Sequence, residues 1–152
     1  MFFKMKVLIV FLFLLISNIN FSQNWISPGQ TWFFVGPMIH FNFGGGEHHL
    51  SLALEGSYWR YAFTNPNAPF IGADAGIEYE FGGKFRVYGE GQVGGILGLS
   101  AGPVLEFEDG NSRLGIQSSL WFCFIAGIDM RWRYTDGNYW SPGVFGKIPI
   151  HN

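Results

Sequence analysis

The stretch Ala126–Gly137, AGIDMRWRYTDG, alternates between two kinds of side chain. One side of the alternation is apolar, and the other carries Asp129, Arg131 and Arg133. A period of two is typical of a β-strand. A soluble sheet would bury the apolar side and expose the charges, whereas a membrane barrel would do the reverse. The rest of the sequence has to distinguish these two arrangements.

The composition of the 152 residues favours a single β-rich domain that faces a membrane. Charged residues make up 13 %, aromatic residues 19 %, and there are 22 glycines. A typical soluble domain has roughly 25 % charged residues. The formal net charge is −2, and it becomes more negative if Lys4 and Lys6 are removed with a leader. This charge gives no electrostatic basis for nucleic-acid binding, so we expect no nucleic-acid partner.

The first 22 residues have the regions of a secretory signal peptide. Lys4 and Lys6 precede the apolar run Val7–Ile16, and Ser22 is a small residue at a plausible cleavage point. The run is shorter than the roughly 20 residues that a membrane-spanning helix needs. We therefore predict a signal peptide at 1–22, a short N-terminal segment at 23–30 and a β-barrel domain at 31–152. Cys123 is the sole cysteine, so we expect no internal disulfide, no metal and no cofactor.

Four loosely similar units follow residue 30, and each combines an alternating strand, a glycine-containing turn and a second strand. The turns are GGGE at Gly44, GGK at Gly82, DGN at Asp109 and TDGN at Thr135, and Asp-Gly is a strong hairpin signal. Four hairpins predict an all-β, antiparallel up-and-down barrel of about eight strands. The predicted strands are Thr31–Phe43, His48–Phe63, Phe70–Phe81, Lys84–Ile96, Leu97–Glu108, Ser112–Phe122, Cys123–Tyr134 and Asn138–Ile148.

The apolar side of these strands is predicted to face lipid, because it persists along whole strands while the other side stays polar at mid-strand. Aromatic residues such as Tyr79, Phe107 and Tyr134 lie at the turn-proximal ends of this side, where membrane barrels carry aromatic girdles. A closed barrel also satisfies its backbone hydrogen bonds, as lipid requires. The predicted lipid-facing residues are Leu50, Leu52, Leu54, Ile77, Val87, Leu99, Leu105, Ile116, Ile128, Met130 and Trp132.

The polar side of the strands is predicted to fill the interior with a carboxylate–arginine network. Its predicted members are Glu55, Asp74, Glu78, Glu80, Arg86, Glu90, Glu106, Arg113, Asp129, Arg131 and Arg133. The interior of an eight-stranded barrel is just wide enough for side chains to fill, and an unpaired buried charge costs several kcal/mol. These groups should therefore pair and close the lumen. The functional alternative is a narrow path that favours cations, because carboxylates outnumber arginines.

On this alternation, repeat and leader, Thr31–Ile150 resembles the small eight-stranded outer-membrane barrels of Gram-negative bacteria, the OmpA/OmpX-like class. The leader ending FSQ looks like those of the Bacteroidota. The resemblance implies an integral protein of the cell outer membrane with a porin-like fold, surrounded by outer-membrane lipids. It further implies a monomer inserted by the barrel assembly machinery, with a structural, minor passage or interaction role and no enzymatic activity. The chain departs from the class in its short connections and in its ending GKIPIHN, where many members end in an aromatic residue.

Two other functions fit part of the sequence. His49, Ser51 and Glu55 are similar to the His-x-Ser pair and downstream Glu of outer-membrane lipid A deacylases, although the flanking LALEGSYW does not match that family. A soluble periplasmic lipocalin-like barrel would turn its apolar face inward around a ligand, but only Lys84 and Lys147 remain after the leader to coat its surface. The GLSAG match to a nucleophile elbow around Ser100 lacks the helix that such an elbow requires.

Overall fold

The computed structural model describes residues 31–44, 47–61, 69–123 and 125–150, and the predicted signal peptide and N-terminal segment lie outside these residues. The described chain is built from β-strands. They are β1 (Thr31–Gly44), β2 (Glu47–Tyr61), β3 (Phe70–Glu80), β4 (Lys84–Gly94), β5 (Leu97–Glu108), β6 (Asn111–Phe122), β7 (Ala126–Tyr134), β8 (Asn138–Gly146) and β9 (Ile148–Ile150). Within the described part of the chain there is no helix of the length and hydropathy needed to cross a membrane.

The strands form one closed antiparallel sheet. Each strand from β1 to β7 pairs with the next along the chain, and β8 and β9 both pair with β1. The pairs Met38–Phe145 and Val35–Ile148 share one register, so β9 continues β8 after an interruption at Lys147. The predicted eight-stranded antiparallel up-and-down barrel is thus confirmed.

The stagger of the strands fixes the width of the barrel. The stagger is measured by following directly paired residues from one strand to the next around the wall. A path that starts at Phe33 on β1 returns to β1 at Phe43, ten positions further along the strand. The intermediate partners are Tyr58, Ala73, Gly91, Ala101, Ser118, Trp132 and Trp140. Strands with this stagger are strongly tilted, and eight of them leave an interior that side chains can fill.

The seventh strand begins later than the sequence pattern predicted. It starts at Ala126 rather than at Cys123, which lies in the connection after β6. Cys123 has a φ of 72°, and its backbone N–H donates to the carbonyl of Ile96 at 2.7 Å. A non-glycine residue with positive φ is uncommon, so no ordinary turn signal marks this reversal.

The two ends of the barrel differ. The hairpin end carries the tight connections after β1, β3, β5 and β7, and the terminal end carries Thr31 and Ile150. Large aromatic side chains fill the interior at the terminal end. We call these five residues the aromatic layer: Trp32, Phe34, Trp59, Phe70 and Trp121.

Glycines in the wall make room for interior rings. A Cβ on Gly98 would overlap the Trp121 indole, and a Cβ on Gly76 would overlap the Tyr88 phenol. Without side chains at these positions, each ring can lie against the backbone of a neighbouring strand. The Trp59 and Trp121 rings then meet edge to face at 5.2 Å, a favoured aromatic geometry.

Candidate functional site

The outer face of the barrel is apolar around its circumference. Twenty-five large hydrophobic side chains of the described residues are exposed, and they come from every strand. Of the eleven residues predicted to face lipid, Leu50, Leu105 and Met130 are half-buried on this face and the other eight are exposed. Among the side chains that the structure describes on the outward positions of β1–β9, Arg60 at the end of β2 is the single charged one.

Aromatic side chains are concentrated at the hairpin end of this outer face. Tyr79 and Phe81 pack edge to face at 5.8 Å, and Phe85 and Phe107 meet at 6.1 Å. Aliphatic side chains such as Ile148, 69 % exposed, mark the outer face at the terminal end. Phe33 and Tyr58 also lie outward at that end, with ring centroids 5.1 Å apart, so aromatic side chains occur at both ends of the outer face but are more numerous at the hairpin end.

The inner face collects the charges. Ten of the eleven residues predicted for the interior network are buried, and Arg113 is half-exposed at the hairpin end. Arg113 pairs there with Glu108 at 2.8 Å and with Asp136 at 3.3 Å. It belongs to the mouth of the barrel rather than to its buried centre.

Arg86 on β4 gathers three carboxylates toward the hairpin end. Its Nη1 lies 3.0 Å from Glu78 and 2.7 Å from Glu80, and its Nε donates to Glu106 at 2.6 Å. All four side chains are at most 2 % exposed. Charge-assisted bonds of this length are the strong class of protein hydrogen bond. They link β3, β4 and β5, which are neighbours both in the sheet and along the chain.

Arg131 on β7 forms a second group nearer the terminal end. Its Nη2 donates to Glu55 at 2.6 Å, and its Nε donates to Asp129 at 2.8 Å. Glu55 also accepts a bond from Lys147 Nζ at 2.6 Å and one from the Tyr88 hydroxyl at 2.9 Å. The Arg131 guanidinium lies over the Tyr88 ring at 4.6 Å, which adds a cation–π contact.

The two groups join into one lumen network. Arg133 donates to Glu78 of the Arg86 group, and His40 lies between the groups. His40 Nε2 is 3.0 Å from Asp129, and its Nδ1 is 3.9 Å from Glu78. We use the name lumen network for the Arg86 and Arg131 groups together with His40 and Arg133.

Asp74 and Glu90 are buried but lie outside these ion pairs. They are direct cross-strand partners on β3 and β4. Glu90 accepts bonds from the hydroxyls of Ser100, at 2.8 Å, and Ser119, at 3.2 Å. Asp74 Oδ1 has no hydrogen-bond partner within the described residues. The sequence pattern therefore placed these carboxylates on the inner face but did not anticipate that they lie outside the ion pairs.

Interior polar residues that were not predicted as network residues include His40, Lys84, Tyr88 and Lys147, together with Asn42 and Ser141. Lys84 Nζ lies 3.3 Å from Glu108 and donates to the Tyr139 hydroxyl at 3.3 Å. His40, Lys84 and Tyr88 occupy inward positions of alternating strands, so the period of two could have identified them. Lys147 lies in the one-residue break between β8 and β9, but it keeps the inward register of Ser141 and Phe145, so the same period could have identified it.

His49, Ser51 and Glu55 occupy alternate positions of β2 and so share its inward face. The Ser51 hydroxyl is fully buried, and in the part of the chain that the structure describes it has no hydrogen-bond partner. Glu55 is held by Arg131 and Lys147. A serine nucleophile needs a base within hydrogen-bond reach, and the described atoms place none there. Ser100, by contrast, donates its hydroxyl to Glu90 at 2.8 Å.

Across the described ranges, three or more His, Cys, Asp and Glu side chains nowhere converge in a way that could hold a metal ion.

No protein-family model matches the chain, and no curated protein matches its sequence. Solved structures match in fold. One of them, described as "De novo design of transmembrane beta-barrels", has a TM-score of 0.50 and 11 % sequence identity, and the match covers 80 % of this chain and 98 % of the designed chain. The likeness shows the fold alone: this barrel has the fold of a transmembrane β-barrel.

Proposed function

We propose that the chain is an integral protein of the cell outer membrane with a structural, interaction or minor passage role and no enzymatic activity. The observation that carries this proposal is the division of the wall into an apolar outer face and a charged inner face. Exposed apolar patches above a few hundred Å² are rare on soluble monomers and mark membrane or partner surfaces. A belt that runs around all eight strands fits lipid on every side, and it supports a monomer surrounded by outer-membrane lipids.

A soluble lipocalin-like barrel needs the opposite arrangement, with apolar side chains around an interior ligand. Here the middle of the interior holds Arg86, Arg131 and Arg133 with their carboxylates. Turning Leu54, which is 51 % exposed, and its neighbours toward water would leave their apolar surface hydrated at a cost of about 25 cal/mol per Å². Lipid removes that cost.

Contact with lipid can be tested by fluorescence. Trp132 and Trp140 lie on the outer face, 36 % and 45 % exposed, while Trp32, Trp59 and Trp121 are buried inside. The protein is refolded into phosphatidylcholine vesicles whose acyl chains carry bromine. We expect strong quenching that falls when both outer tryptophans are replaced by phenylalanine. A chain that stays monodisperse in buffer without detergent, or a fluorescence that bromine leaves unchanged, would exclude the proposal.

The lumen is proposed to be closed by two barriers in series. The lumen network fills the middle, and the aromatic layer fills the terminal end. Hydrated ions would have to displace both sets of side chains. Planar bilayers that contain the protein should therefore show no stepwise conductance, and regular steps with cation preference would instead support the passage role.

Location, assembly and chemistry have separate tests. Envelope fractions separated by density should contain the protein with the outer membrane, and depletion of the barrel assembly machinery should reduce its heat-modifiable folded form. The lipid A hydrolase alternative predicts a change in lipid A mass that disappears in His49→Ala. We expect lipid A of the same mass from cells that carry the native protein and from cells that carry His49→Ala.

A further inference from the structure

One strand pairing of this barrel has no covalent connection. The strands from β1 to β8 are joined to their neighbours by the chain itself, whereas β1 meets β8 and β9 across more than ninety residues of sequence. We call this pairing the seam. It is held by non-covalent contacts alone.

The backbone ladder of the seam is interrupted. Paired residues of β1 and β8 run from Met38–Phe145 to His40–Gly143 and resume at Phe43–Trp140. Pro142 lies in the gap, and proline has no N–H to donate. The backbone ladder therefore contributes less to holding β1 and β8 together at this point.

Side chains bridge this gap. The Ser141 hydroxyl donates to Asn42 Oδ1 at 2.5 Å, which joins β8 to β1 beside Pro142. Arg133 Nη1 donates to the same Asn42 oxygen at 3.0 Å and to the Ser141 oxygen at 3.1 Å. All three side chains are buried inside the barrel.

A second bridge passes over β8 altogether. His40 on β1 lies 3.0 Å from both carboxylate oxygens of Asp129 on β7. A carboxylate only accepts, so the imidazole Nε2–H donates. Gly143 of β8 lies beneath this bond, and a Cβ there would overlap the His40 ring and approach Asp129 Oδ1 to 2.8 Å.

A third bridge reaches one strand further. Glu55 on β2 accepts bonds from Arg131 on β7 and from Lys147 between β8 and β9, each at 2.6 Å. Apart from the Arg133–Ser141 bond between β7 and β8, each of these bridges has one partner on β1 or β2 and the other on β7, β8 or the break before β9. The Arg86 group is different, because it joins strands that hairpins already connect.

We propose that these bridges form an interior latch that closes the barrel along the seam. The latch consists of His40, Asn42 and Glu55 on one side and Asp129, Arg131 and Ser141 on the other, with Lys147 as a further clasp on Glu55. It replaces the ladder bonds lost at Pro142 and fixes the register of the closing strands. This inference does not depend on whether the outer face contacts lipid.

Two matched carboxylate variants test the latch in the full-length protein refolded in detergent micelles. Asp129→Asn weakens the latch, and Glu106→Gln weakens an equally buried arginine pair between β4 and β5. Hydrogen exchange is then followed strand by strand. In Asp129→Asn we expect exchange of β1 and β8 to rise about tenfold, as for loss of a hydrogen bond to a charged group, with β4 and β5 little changed. Glu106→Gln should leave β1 and β8 at the native rate. Equal exchange of the seam in both variants would overturn the proposal.

Disulfide rescue gives a second measurement that remains valid if Asp129→Asn folds poorly. Ile39→Cys with Val144→Cys spans the seam on the outer face, and Val87→Cys with Leu105→Cys spans β4 and β5, each at positions that are direct partners. Both pairs are made with Cys123→Ser. During oxidative refolding of Asp129→Asn, the seam pair should restore the yield of the heat-modifiable folded form, and the β4–β5 pair should not. Rescue by neither pair, or by both pairs equally, would contradict a latch at the seam.

Discussion

His40 and Asp129 bond across an intervening strand. Their side chains meet at 3.0 Å inside the barrel although 89 positions separate them in sequence. The bond is possible because β8 has glycine at Gly143, directly beneath the two groups. A missing side chain on one strand thus lets its two neighbours make contact.

Gly143→Ala should therefore destabilise the barrel. The added methyl group would push the His40 ring away from Asp129, and overpacking of a close-packed site costs about 1–3 kcal/mol. The measurement is the urea midpoint of the protein refolded in vesicles. Gly91→Ala is the matched control, because a Cβ at Gly91 meets no atom within 4 Å. A Gly143→Ala midpoint as high as that of Gly91→Ala would contradict the account of this site.

Removal of Arg131 should cost far more than removal of Arg113. Arg131 pairs with two carboxylates and Arg113 with three, but the Arg131 side chain is 2 % exposed and the Arg113 side chain is 35 % exposed. Loss of one partner of a buried pair leaves a desolvated charge and costs about 3–5 kcal/mol. An exposed pair contributes about 0–1 kcal/mol. Urea titrations of Arg131→Ala and Arg113→Ala check the difference, and similar midpoints would indicate that water reaches the interior network.

The period of two predicted most of the barrel. It assigned Ile128 and Trp132 to the outer face and Arg131 and Arg133 to the inner face, as the structure has them. The alternation follows from strand geometry alone, so local sequence contains it. Partner choice does not follow from that geometry. The bond between His40 and Asp129 depends on how the closing strands meet, and that relation is encoded by no single stretch.

The turn at Cys123 shows a second limit. Its residues include no glycine, proline, asparagine or aspartate, so the sequence pattern placed the start of a strand there. The structure instead gives Cys123 a left-handed backbone. The break at Lys147 is similar, because its amine is held by Glu55 from a distant strand. Both features are determined by tertiary contacts rather than by local preference.

Cys123→Gly should give a more stable protein than Cys123→Ala. Both variants remove the buried thiol, but only glycine adopts a φ of 72° without steric cost. For other residues the left-handed region costs about 1–2 kcal/mol, which outweighs the greater entropy that glycine loses on folding. Urea midpoints of the two variants give the comparison, and a higher midpoint for alanine would show that this backbone conformation is not strained.

In the native chain Cys123 also reports unfolding. Its side chain is buried, and burial raises the pKa of its thiol. Less thiolate and little access both slow reaction with maleimides. The folded protein should therefore label slowly and the urea-unfolded protein rapidly. Rapid labelling under native conditions would indicate that the connection between β6 and β7 opens.

Leu54→Arg is the most direct test of the apolar belt. Leu54 lies in the middle of β2 on the outer face, 51 % exposed. An arginine facing the middle of a bilayer costs about 2–4 kcal/mol, and near the interface the cost falls to about 0–1 kcal/mol. Ser112→Arg supplies the matched control, because Ser112 is exposed on the outer face beside the turn between β5 and β6. In vesicles Leu54→Arg should lower the free energy of unfolding by the larger amount and Ser112→Arg by little. In water an exposed leucine is replaced by arginine at almost no cost. Equal and small effects of the two variants on the free energy of unfolding would therefore show that the apolar belt does not contact lipid, and would contradict the proposal that the barrel spans a membrane.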